Sequence, residues 1–219
     1  MDLSTDFLTR TREGYDRTAA MYAERFHHHL DDKPVDLAML SAFAGLILKE
    51  QNNTQVIDVG CGTGAITALL DGYGVTARGV DLSPKMIDQA RRLNPGLSLS
   101  VGSMTSLDVA DNSVGGICAW YSIIHVPDSH LAGVIGEFHR VLVPGGLVLL
   151  AFQVGDEPRV LTNAFGQDVD LTFIRRQPQR VGNQLSDAGF GLYAKLVRQP
   201  DDDGFESTPH AYLIARKVN

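Results

Sequence analysis

The segment QVIDVGCGTG, at residues 55–64, constrains the fold more than any other stretch of the sequence. It begins with β-branched and apolar residues typical of a buried strand, and it ends with glycines at alternate positions. Residues 65–71 then show helical periodicity. A strand, a glycine-rich turn and a helix in this order begin a nucleotide-binding unit. Gly60, Gly62 and Ala65 also satisfy the dinucleotide fingerprint, so the turn alone does not identify the nucleotide.

Apolar strands alternate with helices through most of the chain. Strands are predicted at 56–59, 75–81, 97–101, 116–120 and 147–152, and helices at 65–71, 83–93 and 129–142. Such alternation predicts a parallel sheet covered by helices on both faces, with right-handed crossovers. The sequence therefore predicts an α/β protein with an open, doubly wound sheet.

The segments before and after this core follow other patterns. Two amphipathic helices are predicted ahead of the first strand, one starting at Tyr15 and one running from about Val35 to Lys49. After the core, residues 155–177 are polar and are predicted to be irregular, and a helix is predicted at about 178–188. Alternating segments at 192–197 and 210–216 predict a pair of antiparallel strands, with a turn at DDDG, 201–204.

Length and composition predict one domain. The chain has 219 residues, of which 44% are hydrophobic and 21% charged, and these values suit a single globular core. We expect an N-terminal helical cap at 1–53, a cofactor-binding core at 54–152, and a substrate-side cap with the C-terminal hairpin at 153–219. Cys61 and Cys118 fit no metal or redox spacing, so a reducing compartment is expected.

Charge and hydropathy indicate where the protein is located and which classes of partner it does not bind. The formal net charge of −7 opposes binding to a polyanion, so nucleic acid is not expected as a partner. No apolar run approaches the roughly 18 residues of a membrane helix, and the N-terminus lacks the order of a signal peptide. We therefore expect a cytoplasmic protein with no membrane partner. His27, His28 and His29 are consecutive and would point about 100° apart on a helix, so no metal site is predicted.

Two carboxylates indicate which nucleotide the turn binds. Asp81 ends the second predicted strand, 19 residues after Gly62, where it can accept hydrogen bonds from the ribose hydroxyls of an adenosine. Both NAD and S-adenosylmethionine carry that ribose. Asp58 lies two positions before the glycine turn, where its charge would repel a pyrophosphate and attract a cation. S-adenosylmethionine has an ammonium, a sulfonium and no phosphate, so this pattern favours it.

Three motifs resemble one known family. VIDVGCGTG is similar to the first motif of the class I S-adenosylmethionine-dependent methyltransferases, and VDLSPKMIDQA resembles the segment after their second strand. RVLVPGGLVLLAF resembles the turn into their fifth strand. The resemblance covers residues from about 15 to 216. It implies a Rossmann-like sheet of seven strands in the order 3-2-1-4-5-7-6, with the last strand antiparallel.

The resemblance also implies a set of cofactor contacts. The candidates are Asp58, Gly60, Cys61, Gly62, Gly64, Asp81, Leu82, Met86, Ser103, Met104, Tyr121, Tyr15 and Tyr22. Asp58 and the glycines would surround the methionyl group, Asp81 would hold the ribose, and Leu82 and Met86 would flank adenine. Ser103 stands where the family usually has an acidic residue facing adenine N6, so we expect a weaker contact there. Cys61 is interpreted as a small residue that fits the turn.

Aromatic and histidine residues are candidates for the substrate side. WYSIIHVP, at 120–127, follows the fourth strand, and similar enzymes of small molecules often carry an aromatic residue, serine and histidine there. Tyr121 would border the methionyl group, and His125 would accept a proton from a hydroxyl or amine nucleophile. A histidine that orders the loop or a lid is the alternative. Tyr15 and Tyr22 would cover the cofactor, although a helical aromatic stripe is also typical of a plain core.

Three further residues receive no catalytic role. His210 begins the last predicted strand and is expected near the mouth of the pocket. Arg175 and Arg176 lie in the segment predicted to be irregular and are interpreted as a solvated pair, although one of them could hold an acidic substrate.

The predicted function is methyl transfer from S-adenosylmethionine to oxygen, nitrogen or carbon of a small molecule, by in-line displacement. Three alternatives stay open: a nicotinamide oxidoreductase, a protein that binds S-adenosylmethionine without catalysis, and an enzyme that uses the same cofactor for another transfer. The sequence does not indicate the acceptor or the oligomeric state.

Overall fold

A computed structural model describes residues 3–202, 204 and 206–218. The turn predicted at 201–204 includes Asp203, which lies outside the described residues. In chain order, the helices and strands are α1 Leu3–Phe26, α2 Pro34–Glu50, β1 Gln55–Val59, α3 Ala65–Gly72, β2 Thr76–Asp81, α4 Pro84–Leu93, β3 Ser98–Val101, β4 Val114–Trp120, α5 Asp128–Val141, β5 Leu142–Gln153, β6 Arg159–Ala164, β7 Gln167–Phe173, α6 Pro178–Asp187, β8 Phe190–Arg198 and β9 His210–Lys217. A single 3₁₀ turn, Ile123–His125, follows β4.

The central sheet has seven strands in the order β3-β2-β1-β4-β5-β9-β8. Strands β1 to β5 pair in parallel, whereas β9 runs antiparallel to both β5 and β8. The predicted fold class is confirmed, including the strand order and the antiparallel last strand. Since the first strand lies in the middle of the sheet, the carboxyl ends of β1 and β4 form the switch point where ligands of such sheets bind.

Two apolar cores lie on opposite faces of the sheet. On one face, α2 buries Phe43 and Ile47 against β1 and β4. On the other, α5 and α6 bury residues that include Phe138 and Leu185. Gly116 permits the close approach of α2, because a Cβ at this position would lie 2.4 Å from Ile47 Cδ1. The alternation of strand residues between the two cores explains why the apolar runs in the sequence are continuous.

The prediction that residues 155–177 are irregular is wrong for the larger part of this segment. Strands β6 and β7 form a separate antiparallel hairpin. Only Val169 and Leu171, both on β7, are buried in it, so the buried residues alternate with exposed ones on one strand only. The hairpin packs on α1, which begins at Leu3 rather than Tyr15. Gly14 makes this contact close, since a Cβ there would lie 2.7 Å from Leu171 Cδ2. Among the described helices, none is both long and apolar enough to cross a membrane.

Candidate active site

The glycine turn between β1 and α3 adopts a backbone that glycine favours. Gly60, Gly62 and Gly64 have φ angles of +77°, +53° and +77°, a region that side chains with a Cβ rarely adopt. The N–H groups of Gly60 and Cys61 donate to the carbonyl of Val80 at 2.7 and 3.1 Å, which fixes the turn to β2. A Cβ at Gly60 would lie 2.3 Å from Ser122 Cβ. The turn is therefore packed directly against the segment that follows β4.

Asp81 is held at the end of β2 by backbone donors. Its Oδ2 accepts from the N–H of Gly62 and its Oδ1 from the N–H of Ser83, both at 2.8 Å. Burial raises the pKa of this carboxyl, while the two backbone hydrogen bonds act in the opposite direction. Since a carboxylate oxygen can accept more than one hydrogen bond, both oxygens retain capacity for ribose hydroxyls.

Asp58 is buried beneath the glycine turn rather than in the cavity wall. Its Oδ2 accepts from Thr67 Oγ1 at 2.7 Å, and its Oδ1 has no hydrogen-bond partner among the described residues. Burial raises the pKa of Asp58 to about 7, with the Thr67 hydrogen bond opposing. A carboxylate with an unpaired buried oxygen fits a site that receives a cationic ligand, because the ligand's charge would stabilise the ionised form.

One cavity of about 540 Å³ opens at the carboxyl ends of the strands. It brings together most of the predicted cofactor residues: Gly60, Cys61, Gly62, Asp81, Leu82, Met86, Ser103, Met104, Tyr121, Tyr15 and Tyr22, together with His125. Asp58 and Gly64 are absent from its wall. Gly64 faces the side chains of Asn94 and Ala90 instead, because it begins α3 on the far side of the turn. The Ser103 hydroxyl contacts the Thr105 hydroxyl at 2.7 Å.

Helix α1 covers the cofactor side of this cavity. Tyr15 and Tyr22 pack edge to face, with ring centroids 5.9 Å apart, and burial raises the pKa of Tyr22 to about 12. Asp16 of the same helix accepts from Ser83 Oγ at 2.6 Å, and so α1 is tied to the start of α4. Burial also raises the pKa of Tyr15 well above its ordinary value, so both hydroxyls are neutral, and the nearby charge of Asp81 acts in the same direction on both.

Both ring nitrogens of His125 are occupied by protein groups. Nδ1 lies 3.0 Å from the carbonyl oxygen of Thr172, which can only accept, so Nδ1 carries the proton. Nε2 then accepts from the Tyr15 hydroxyl at 2.7 Å. Packing against Tyr15 and Phe173 removes water from the ring, and this burial lowers the pKa of His125 to about 4. His125 thus joins α1 to the β6–β7 hairpin, and a substrate would have to displace Tyr15 to reach Nε2.

Arg176 is buried, so its interpretation as half of a solvated pair is wrong. Its guanidinium donates to the carbonyl of Ile123 at 3.0 Å, to the carbonyl of Val126, and to Asp128. Only a side chain with several donors in one plane can satisfy these acceptors together. Arg176 therefore holds the loop that carries His125, whereas Arg175 donates to Ser207 Oγ at 3.1 Å.

A hydrogen-bonded network closes the opposite end of the cavity. Tyr121, which has a φ of +50°, contacts His210 Nδ1 and the Tyr212 hydroxyl with its own hydroxyl. Tyr212 donates to Asp36 Oδ1 at 2.7 Å, and Arg198 Nε lies 3.0 Å from Asp36 Oδ2. A bulky residue at positive φ is strained, and such strain is typical of functional sites.

Most residues at this end of the cavity were not predicted from the sequence to contact a ligand. Asp36, Gln153, Glu206 and His210 line the cavity, yet none was a candidate contact. The sequence contains one indication that Asp36 is buried. Asp36 lies at helical spacing from Leu40, Phe43 and Ile47, which form the buried face of α2. A carboxylate within an apolar helical stripe indicates a buried partner. No cluster of three or more His, Cys, Asp or Glu side chains that could hold a metal ion occurs in the described part of the chain.

Comparison with protein families places the core in a known group. Residues 56–146 match the model of a methyltransferase domain. The chain is 28% identical over 144 residues to a demethylmenaquinone methyltransferase of Chlorobaculum tepidum, covering 65% of this chain and 57% of that protein. It is 27% identical over 149 residues to a ubiquinone biosynthesis O-methyltransferase of Pseudomonas syringae, covering 62% and 63%. The matches span less than two thirds of the length of these relatives.

Solved structures show the same fold at low identity. Magnesium protoporphyrin IX methyltransferase from Synechocystis, with bound S-adenosylmethionine, has a TM-score of 0.71 at 16% identity and is covered over 100% of both chains. 1,6-Didemethyltoxoflavin-N1-methyltransferase from Burkholderia thailandensis, with its substrate and S-adenosylhomocysteine, has a TM-score of 0.70 at 16% identity, covering 100% of this chain and 92% of that one. The family match favours S-adenosylmethionine as the cofactor over a nicotinamide nucleotide.

Proposed function

We propose that the chain is a class I S-adenosylmethionine-dependent methyltransferase and that it transfers the methyl group of S-adenosylmethionine to a small molecule bound in the same cavity. The observation that carries the proposal is the continuity of that cavity. It runs from the Gly60–Gly62 turn and Asp81, past Tyr121, to Asp36 and His210 on the other side. It therefore has a wall for the cofactor and a second wall for an acceptor.

The residues of the cofactor end fit S-adenosylmethionine by their chemistry. Asp81 is held for ribose hydroxyls, and the glycine turn allows the backbone to approach the ligand closely. The unpaired Oδ1 of buried Asp58 suits the positive charge of the methionyl group. When bound, the cofactor supplies a methyl group on a positively charged sulfur. The chain's own work is to hold two reactants in line and exclude water, and such orientation contributes about 7–11 kcal/mol.

A small-molecule acceptor fits both the chain and its relatives. The relatives are named for demethylmenaquinone and for ubiquinone biosynthesis, and one structural neighbour for 1,6-didemethyltoxoflavin. The net charge of −7 disfavours a nucleic acid. Helix α1 and the β6–β7 hairpin close the site from above, since Arg17 donates to the Asp168 carbonyl at 3.0 Å. We expect an acceptor small enough to lie beneath that cover.

Calorimetric titration tests the cofactor assignment. We expect S-adenosylmethionine and S-adenosylhomocysteine to bind and NAD to give no heat. Asp81→Asn should weaken S-adenosylmethionine about 10- to 150-fold, because hydrogen bonds to a charged group contribute about 1.5–3 kcal/mol. Asp88→Asn is the matched control, since Asp88 lies exposed on α4 beside Lys85. Absence of binding to the unmodified protein would overturn the proposed function.

A further inference from the structure

Three polar atoms at the acceptor end lack a partner. They are Nε2 of His210, Oε1 of Gln153 and Oγ of Ser122, none of which bonds to any described residue. All three side chains line the cavity, and His210 and Ser122 are only 5% and 7% exposed. A buried polar atom left without a hydrogen-bond partner destabilises the folded protein. Three such atoms in one wall are what a site for a polar ligand group requires.

The strand register places two of these three side chains, Gln153 and His210, next to each other. Gln153 and His210 are directly opposed across the β5–β9 pair, so their side chains lie on the same face of the sheet. Ser122 lies beside Gly60 of the glycine turn and lines the same cavity. A group that contacts all three would therefore lie next to the methionyl part of the cofactor.

The hydrogen bonds behind His210 determine which ring nitrogen carries its proton. Tyr212 gives its single proton to Asp36, whose carboxylate can only accept. The contact of 3.0 Å between the Tyr121 and Tyr212 hydroxyls then needs the Tyr121 proton. The contact between Tyr121 and His210 Nδ1 is left with one donor, which is Nδ1. Nε2 is therefore unprotonated and offers a lone pair to the cavity.

This lone pair, together with Gln153 Oε1, selects a ligand that donates hydrogen bonds. Aromatic side chains line the same cavity: Trp120 and Tyr121 pack edge to face with ring centroids 5.6 Å apart, and Phe26, Phe165 and Phe173 are also in its wall. Flat apolar walls with one cluster of hydrogen-bond acceptors fit a planar ring that carries a protic group.

We propose that His210 is the general base of the reaction and that the acceptor is the hydroxyl group of a planar aromatic molecule held by Gln153 and Ser122. This assignment rests on the proposed function. The hydroxyl proton passes to His210 Nε2 while the acceptor oxygen forms a bond to the methyl carbon. The carbon–sulfur bond breaks and its electron pair stays on sulfur. The products are the methyl ether, S-adenosylhomocysteine and an imidazolium, which returns its proton to water when the site opens.

The charges around His210 suit this step. Burial lowers the pKa of its imidazole from the ordinary 6.5, so the ring is neutral at neutral pH. Glu206 and Asp36 act to raise that pKa, and Arg198 and Lys33 act to lower it. Glu206 Oε1 lies 3.9 Å from Nδ1, where its charge stabilises the imidazolium that forms. Turnover should therefore fall as the pH drops below the His210 pKa, since a protonated base cannot accept a proton.

Three isosteric probes test the acceptor class: 1-naphthol, 1-naphthylamine and 1-methylnaphthalene, each with saturating S-adenosylmethionine. We expect S-adenosylhomocysteine to form with 1-naphthol and not with 1-methylnaphthalene. His210→Gln should lower the rate with 1-naphthol by about 10²- to 10⁴-fold, with S-adenosylmethionine affinity unchanged. His28→Gln is the matched control, because His28 is exposed and lies outside the cavity wall.

The comparison of the three probes on the unmodified protein needs no variant. The inference is overturned by an unchanged rate in His210→Gln, by a preference for the amine, or by no turnover of 1-naphthol. Each of these results leaves the proposed function intact if S-adenosylmethionine binds.

Discussion

The two ends of the cavity are built in different ways. The cofactor end comes from short segments: the glycine turn, Asp81 with its neighbours, and the turn after β3. At this end, backbone N–H groups of Gly62 and Ser83 donate to Asp81, the residue that we propose binds the ribose. The acceptor end draws on α2, β4, β5, β8 and β9, and its hydrogen bond between Asp36 and Tyr212 joins residues 176 positions apart. Local motifs therefore predict where the cofactor binds, and only the assembled sheet shows what faces the acceptor.

The two histidines of the cavity sharpen this comparison. His125 lies in a recognisable motif, yet both of its nitrogens are bonded to protein groups. His210 belongs to no motif, yet its Nε2 is buried without a partner in the described structure. A position in a motif and an available lone pair are thus separate properties, and a base needs the second one.

The largest stability effect is expected at the acceptor end. Asp36→Ala removes the partner of both Tyr212 and Arg198, and breaking a buried pair of this kind costs about 3–5 kcal/mol. Urea unfolding followed by circular dichroism measures the free energy of unfolding. Asp88→Ala should change it by less than about 0.5 kcal/mol. If both variants behave alike, the network at the acceptor end contributes nothing to stability.

An intermediate effect is expected at the cofactor end and depends on pH. The pKa of Asp58 is about 7 in the folded protein and 3.8 in an ordinary aspartate, so the folded carboxyl binds a proton between these values. The free protein should lose stability as the pH rises through this window. A cationic cofactor favours the ionised carboxylate, so its affinity should rise with pH by up to about tenfold per unit below pH 7.

Calorimetry in two buffers with different heats of ionisation measures the protons released by Asp58. We expect S-adenosylmethionine to release protons near pH 6 and fewer near pH 8. Asp58→Asn should bind more weakly and lose this dependence on pH. Binding that is independent of pH in the unmodified protein would remove Asp58 from the account of the cofactor end.

The smallest effect is expected at the contact between helix α1 and the 3₁₀ turn at His125, beneath the cover formed by α1 and the β6–β7 hairpin. His125→Gln removes the bond to Tyr15 and should weaken S-adenosylmethionine about 2- to 10-fold, because a neutral hydrogen bond contributes about 0.5–1.5 kcal/mol. Tyr15→Phe should have the same effect, and the double variant should add little to either. A loss of turnover beyond 10²-fold in His125→Gln, with affinity retained, would instead make His125 the base.

Features that depend on residues close together in the sequence were predicted, and features that depend on residues far apart in the sequence were not. The core strands and the place of Asp81 followed from periodicity and spacing, since each depends on neighbouring residues, whereas the strand order followed from the resemblance to the methyltransferase family. The β6–β7 hairpin was missed because its exposed strands bury few side chains. Arg176 was misread because its partners are carbonyls of the distant 123–128 loop. His210 was placed near the pocket, but its tautomer depends on Tyr121, Tyr212 and Asp36, which no local pattern joins.

A crystal structure with S-adenosylhomocysteine and 7-hydroxycoumarin tests the central claim most directly. We predict the ribose on Asp81, the sulfur beside Tyr121 and Ser122, and the coumarin oxygen within hydrogen-bond distance of His210 Nε2. A coumarin oxygen on His125, with the Tyr15 contact broken, would contradict the division of the cavity into these two ends, as would a cofactor bound away from the glycine turn.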